Sequence, residues 1–339
     1  MRKTTAKPLK PSKRGGKKEP RGKKEKKKYK VRNWREYNQA LVDRGRIEFW
    51  ISAEAIAAWE ERQRTGKRGK PTLFSNIAIE TALTLQQVFR LPLRQTEGFL
   101  ASTLKRLGAE VKAPDHSTLS LRGRTLPVAI RVRPVRNEPL HLVVDATGAK
   151  VYGEGEWKVR QHGWGKHRTW RKVHLGVDEA NGDILLGEVT GNDTADSEAF
   201  QPLLSQLPEQ AVVHQVSTDG AYDKRSCYEA LRKYHVAIVA IPPQQNAKIW
   251  RHGNTAGERH IRDQNLRRIR KVGRQRWKEE IHYHRRSLAE TTMFRLKTIF
   301  GDKVTGRTFA QQRTQLLLRC RALNWMTTLG MPKSELVVA

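Results

Sequence analysis

The sequence predicts an α/β chain in which a mixed sheet flanked by helices follows an all-helical N-terminal region. Three observations lead there. Between Trp34 and about Leu126 the apolar residues follow a helical pattern broken by Gly and Pro. From about Leu140 short apolar runs recur at strand length, the first three close enough to form a meander. After them helical and strand patterns alternate.

The elements follow in order. Residues 1–32 are a basic tail dominated by Lys, Arg, Gly and Pro, in which Glu19 and Glu25 are the only acids. Such a segment cannot bury apolar area and is expected to stay disordered until it meets a polyanion. Residues 33–135 read as helices over Ala53–Gln63, Leu73–Phe89, Leu93–Leu107 and Ser117–Leu126, punctuated by Gly66, Gly69, Pro71, Pro92, Gly108 and Pro114. The last two resemble a helix-turn-helix, with Asp115 as N-cap and Ser117, Ser120, Arg122 and Arg124 turned outward; a plain hairpin packed on the next domain is the other reading. Residues 136–330 form the second domain, with a basic insertion at about 244–280, and 331–339 a short tail. Its strands are expected at His141–Asp145, Ala149–Tyr152, Lys172–Val177, Ile184–Thr190, Val212–Ser217 and Val236–Ile241, and its helices at Ser197–Leu207 and Tyr222–Tyr234. A meander followed by this alternation is the pattern of RNase H-like folds, which bring the ends of the first and fourth strands together. A last helix, Arg307–Leu329, closes the core or makes a dimer contact.

Three acids stand where that fold would gather them. Asp145 follows the apolar run His141–Val144, and a charge inside a buried strand is costly without a cation to bind. Asp219 ends the strand before Gly220, at the carboxyl edge where open α/β sheets place their sites. In the run HYHRRSLAETTMFRLKTIF, Tyr283, Arg286, Glu290 and Lys297 share an arc of about 60° on one helix, with Ile281, Leu288, Leu296 and Ile299 opposite. Taken singly, each Asp reads as a turn or N-cap residue and the helix as an amphipathic one with ordinary charge pairing. Taken together, they read as a site. Carboxylates suit hard divalent ions such as Mg²⁺, and two such ions can run an in-line phosphoryl transfer. Zinc fits poorly, since the two cysteines, Cys227 and Cys320, lie far apart with no partner at ligand spacing. No nucleotide-binding P-loop and no GxSxG run occur.

Composition points to the same partner independently. With 66 Lys and Arg against 34 Asp and Glu the formal charge is +32, for which nucleic acid is the natural counterion. The segment 154–172 interleaves Trp157, Trp164 and Trp170 with Lys166, Arg168 and other cations, as a surface tracking phosphates and stacking on unpaired bases would; inward-packed Trp side chains are the alternative. Arg267, Arg268 and Arg270 lead a second basic stretch before Glu290, assigned to phosphate contact. Two cysteines indicate a reducing compartment, and no apolar run is long enough to span a bilayer, so a cytoplasmic, nucleoid-associated protein without a membrane partner is expected.

The pattern Y-x2-R-x3-E-x6-K (Tyr283, Arg286, Glu290, Lys297), preceded by Asp145 in VVDATG and Asp219 in STDGAYD, resembles the DDE transposases of the IS4/IS5 group of bacterial insertion sequences. NWREYNQALVDRG, PDHSTLSLRGRTL and IPPQQNA are more similar to the IS5 family, especially its IS903-like branch. The resemblance implies an RNase H-like catalytic domain, cleavage at terminal inverted repeats and strand transfer into target DNA. It makes Asp145, Asp219 and Glu290 the ligands of two Mg²⁺, with Mn²⁺ able to substitute. Tyr283, Arg286 and Lys297 become contacts to the DNA end and orienters of the acids. The partners it implies are double-stranded DNA and, on it, further copies of the chain, with no nucleotide cofactor. A DNA-binding regulator that has lost catalysis, and a metal-dependent nuclease without strand transfer, are the other functions compatible with these residues.

Overall fold

The computed structural model describes residues 28–61, 72–135, 138–152, 170–251 and 259–337. The basic tail was expected to be disordered through residue 32, but Lys28–Val31 (β1) pairs antiparallel with Ser334–Val337 (β8). Side-chain contacts hold the two ends together: Arg32 pairs with Glu335, and the Asn33 amide bridges Met331 O and Lys333 N.

Six helices follow: Trp34–Asp43 (α1), Ile47–Trp50 (α2), Ala53–Ala57 (α3), Asn76–Phe89 (α4), Leu93–Arg106 (α5) and His116–Arg122 (α6). Side-chain caps set the starts of α3, α4 and α6. Ser75 accepts from Ala78 N at α4, so the helix begins three residues later than the apolar pattern from Leu73 suggests. Asp115 accepts from Ser117 N and Thr118 N at α6, as expected. Two lengths differ from expectation. The helix predicted over Ala53–Gln63 stops at Ala57, because Glu60 pairs with Phe74 as an isolated β-bridge. The helix predicted to reach Leu126 stops at Arg122.

The central sheet has the order β4-β3-β2-β5-β6, built from Leu140–Val151 (β2), Trp170–Asp178 (β3), Ile184–Thr190 (β4), Val213–Ser217 (β5) and Ile238–Ala240 (β6). The first three form the antiparallel meander; β5 and β6 join in parallel, and Lys303–Val304 (β7) pairs with the far end of β2. This is the RNase H-like mixed sheet, with the helical region ahead of it. One strand was expected to break at Thr147-Gly148. Instead β2 runs through, since β3 stays in register with it as far as Lys150↔Trp170. Gly148 admits the Trp170 ring at this point; a Cβ there would lie 2.9 Å from the ring.

Alternation along β2 divides the core into two layers. Val143 and Ala149, with Val173, Leu175 and Val177 of β3, face a cluster formed by α4, α5, α6, Ser287–Phe300 (α11) and Phe309–Leu329 (α12). Leu140, Leu142 and Val144 face the opposite way, onto Phe200 and Leu203 of Asp196–Leu204 (α7) and Tyr228 and Leu231 of Arg225–Lys233 (α8). The predicted closing helix is thus α12. It is buried on nearly every side, and its Arg319 donates to Gln87 of α4 and to the carbonyls of Gly301 and Lys303, while Asn324 bonds Ile184 in β4. Ile261–Val272 (α9) and Arg274–Glu280 (α10) carry the basic stretch. Both cysteines are buried and unpaired.

Candidate active site

Parallel pairing of β2 and β5 ends at Val143↔Ser217. Asp145 and Asp219 each stand two residues beyond that last pair, so the register delivers both carboxylates side by side at one edge of the sheet. Asp145 is not at a strand end, as expected, but in the middle of β2, where β5 has stopped and left its flank open. Its Oδ1 accepts from Ala146 N at 2.8 Å. Asp219 N-caps a single 3₁₀ turn, Gly220–Tyr222, through Ala221 N.

The third acid arrives from the layer above. Glu290 lies in the first turn of α11, which packs on β2 and β3 through Ala289, Thr292, Met293, Leu296 and Phe300. The expectation of one continuous helix from Tyr283 to Lys297 is corrected here. His282 takes a left-handed conformation (φ 51°), Tyr283–Arg286 form a 3₁₀ turn, and the α-helix begins at Ser287. The break lets Tyr283 point inward: its buried hydroxyl donates to Thr218 O at 3.0 Å, the residue before Asp219. Gln215 of β5 reaches Ile281 O at 2.8 Å, a second bond docking this segment on the strand.

Arg286 closes the arrangement. Its NH1 lies 2.7 Å from Asp145 Oδ2, and its NH2 donates to Glu290 Oε1 one turn on. A single guanidinium therefore ties the helix acid to the sheet acid, which lies 141 residues before Arg286 in the sequence. Burial raises the Asp145 carboxyl above its ordinary range; the Ala146 amide and Arg286 pull it back, while Asp219 and Glu290 push it further up. Asp219 and Glu290 thus both lie close enough to Asp145 to disfavour its negative charge. Burial works against the Arg286 cation, but the Tyr283 oxygen, Asp145, Glu290 and Asp219 outweigh it and raise its pKa.

The donors are all oxygens, as Mg²⁺ or Mn²⁺ requires. Among the described residues no three His, Cys, Asp or Glu side chains are already drawn into a coordinating cluster. Guanidinium supplies the compensating charge, and the Glu290 side chain is 55 % exposed. The donor set fits a divalent ion in chemistry.

Other residues selected from sequence lie as follows. Lys297 is exposed on α11, two turns beyond Glu290. Arg124 is exposed after α6, whereas Arg122 is engaged by Phe74 O and Asn76 Oδ1. On α9, Arg267 donates to Arg251 O, Arg268 forms a two-bond pair with Glu280, and the exposed Arg270 reaches Ala247 O. Trp164, Lys166 and Arg168 fall outside the described residues.

One pair escaped the sequence reading. Asp223, four residues after Asp219, receives Arg262 Nε at 2.6 Å and NH2 at 3.2 Å, together with Tyr228 OH and Gln244 N. Arg262 also bonds Lys248 O and stacks on Trp250 at 4.0 Å. The pair fastens the Asp219 loop to the basic helix α9. The second Asp of STDGAYD was its only sequence signal, and nothing pointed to which of many arginines would answer it.

Comparison with known families gives two matches. A sequence model described as a transposase DDE domain covers residues 136–325, more than half the chain, and another of the same description covers residues 42–154.

Proposed function

We propose that this chain, which belongs to the DDE transposase family, is the DNA transposase of a bacterial insertion sequence of the IS5 family, in its IS903-like branch. It binds the terminal inverted repeats, cuts at the element ends and joins the freed 3′-hydroxyl to target DNA. The observation that carries the reading is that Asp145 and Asp219 stand level, each two residues beyond the last β2–β5 pair, with Arg286 linking Asp145 to Glu290.

In this reading Asp145, Asp219 and Glu290 hold two Mg²⁺, or Mn²⁺ in their place. When bound, such ions activate the attacking oxygen and stabilise charge on the leaving one. Arg286 and Lys297 take phosphates of the DNA end, and Tyr283 keeps the helix of Glu290 seated on the strand of Asp219. Water is the first attacking group and releases a 3′-hydroxyl; that hydroxyl then attacks a target phosphate in line, with no covalent protein intermediate. Arg267, Arg268 and Arg270, the cations Lys166 and Arg168 with Trp164, and Arg122 and Arg124 of the helical region supply the remaining DNA contacts. Two element ends are held by a homo-oligomer in the nucleoid. No helix among the described residues is long and apolar enough to cross a membrane.

The test is cleavage of DNA carrying the element ends in Mg²⁺ or Mn²⁺. Asp145→Asn, Asp219→Asn and Glu290→Gln should each abolish cleavage while sparing binding to the ends. Strand transfer retained by any one of them would overturn the assignment, and products that are cut but never joined would identify a nuclease instead.

A further inference from the structure

The outward face of α11 carries more than the catalytic acid. Glu290, Thr291, Phe294, Lys297 and Thr298 are all exposed, at the i, i+1, i+4, i+7, i+8 spacing of a single helix stripe. Phe294 is the anomaly among them. It is 70 % exposed, the highest value for any large apolar side chain among the described residues, on a helix that has an apolar face of its own to bury. No ring among the described residues stacks on it.

Its position limits what it can meet. Phe294 lies one turn beyond Glu290 and about 40° around the helix. Helical side chains lean back over the preceding turn, which sets the ring on the side of Glu290 rather than away from it. Lys297 stands one turn further on. Beyond it the exposed Arg90 caps the helix end through Thr298 O and Ile299 O. An aromatic face set between a carboxylate and two cations suits a flat, partly apolar group attached to a phosphate chain.

We infer that Phe294 is a base-stacking residue: its ring packs on an unpaired nucleobase of the DNA strand lying along α11, while Lys297 holds the adjoining phosphate. The inference rests on the transposase reading for the identity of the strand. It adds a positioning role, since a base fixed one turn from Glu290 fixes the phosphate that follows it. Every base offers a π-face, so this contact is tolerant of sequence and supplies register without reading it.

The experiment uses the full chain with Ca²⁺ and two probes: a blunt duplex, and the same duplex with a short single-stranded overhang containing 2-aminopurine. For the wild type, binding of the overhang probe should quench 2-aminopurine. Phe294→Ala should lose the quenching and bind the overhang probe roughly 10-fold more weakly, with blunt-duplex affinity unchanged. Phe294→Trp should restore both; Phe294→Leu, equally apolar but without a π-face, should restore neither. Equal overhang affinity and quenching for Phe294→Ala and wild type would overturn the inference. So would a change in sedimentation with DNA affinity unaltered, which would make Phe294 a contact between copies of the chain. The result is separable from the fate of the catalytic assignment: Asp145→Asn should quench like wild type, and cleavage surviving in that variant would sink the acid site without touching Phe294.

Discussion

Replacing Arg262 by Met tests whether the Asp219 loop is anchored through charge. Arg262 and Asp223 have side chains only 5 % and 1 % exposed, joined by two hydrogen bonds of 2.6 and 3.2 Å. Removing the cation leaves a carboxylate out of water with only Tyr228 OH and Gln244 N as partners. Losing one member of such a pair costs about 3–5 kcal/mol, a large fraction of the stability of an ordinary domain. Arg262→Met also forfeits the bond to Lys248 O and the cation's contact with Trp250, which places it in the upper half of that range. Removing both charges, in Asp223→Asn with Arg262→Met, should recover most of the loss, because an amide is far cheaper to bury than a carboxylate. Urea unfolding of the wild type, the two single variants and the double variant gives the coupling directly. If Arg262→Met unfolds at the wild-type midpoint, or the double variant is as unstable as the two losses added, the pair does not act as a buried charge anchor.

Two more predictions follow from the same geometry. Burial, reinforced by Arg285, His282 and His214, lowers the His141 imidazole to about 4, so it stays neutral in the fold, where its Nε2 meets Ser217 Oγ at 2.8 Å. The unfolded chain binds that proton near pH 6.5, so stability is fully present above this value and falls as pH drops toward 4, by up to about 3 kcal/mol. His141→Gln should flatten that part of the urea-unfolding profile between pH 7 and 4; a profile parallel to wild type would refute the cause. Arg270 and Lys271 are exposed at the end of α9. If both meet phosphates, replacing the two by Ala should reduce the slope of log K against log salt by about 2. An unchanged slope would take this end of α9 off the DNA.

What could be read from sequence and what could not divide along physical lines. Residue type alone did not single out Asp145 and Asp219: each by itself reads as a turn or N-cap residue, as Asp219 is here, and only the strand pattern placing both at one sheet edge brought them together as candidates. The mixed, helix-flanked sheet was legible because short apolar runs followed by alternation with helices admit few architectures, but the strand order was not, since the expected meander counted β2 as two of its three strands. The break at His282 was not, since a helical pattern spaced at 3.6 residues persists through a single left-handed residue, and the change of direction goes with tertiary bonds from Tyr283 to Thr218 O and from Gln215 to Ile281 O. β2 was read as two strands for a related reason. Thr147-Gly148 carries a turn signature, and what overrides it is nine consecutive pairings with β3, from Leu142↔Asp178 to Lys150↔Trp170, a tertiary effect invisible in the local run. The ion pairs differ in reach: the resemblance named Arg286 as an orienter of the acids, whereas with 66 Lys and Arg to choose from nothing selected Arg262 for Asp223. Those two arginines nevertheless decide how the site is held. Arg286 joins the carboxylates of Asp145 and Glu290, and Arg262 ties the Asp219 loop to the basic helix α9. A strongly basic chain thus spends some of its charge internally, holding together an acidic centre on an otherwise cationic surface.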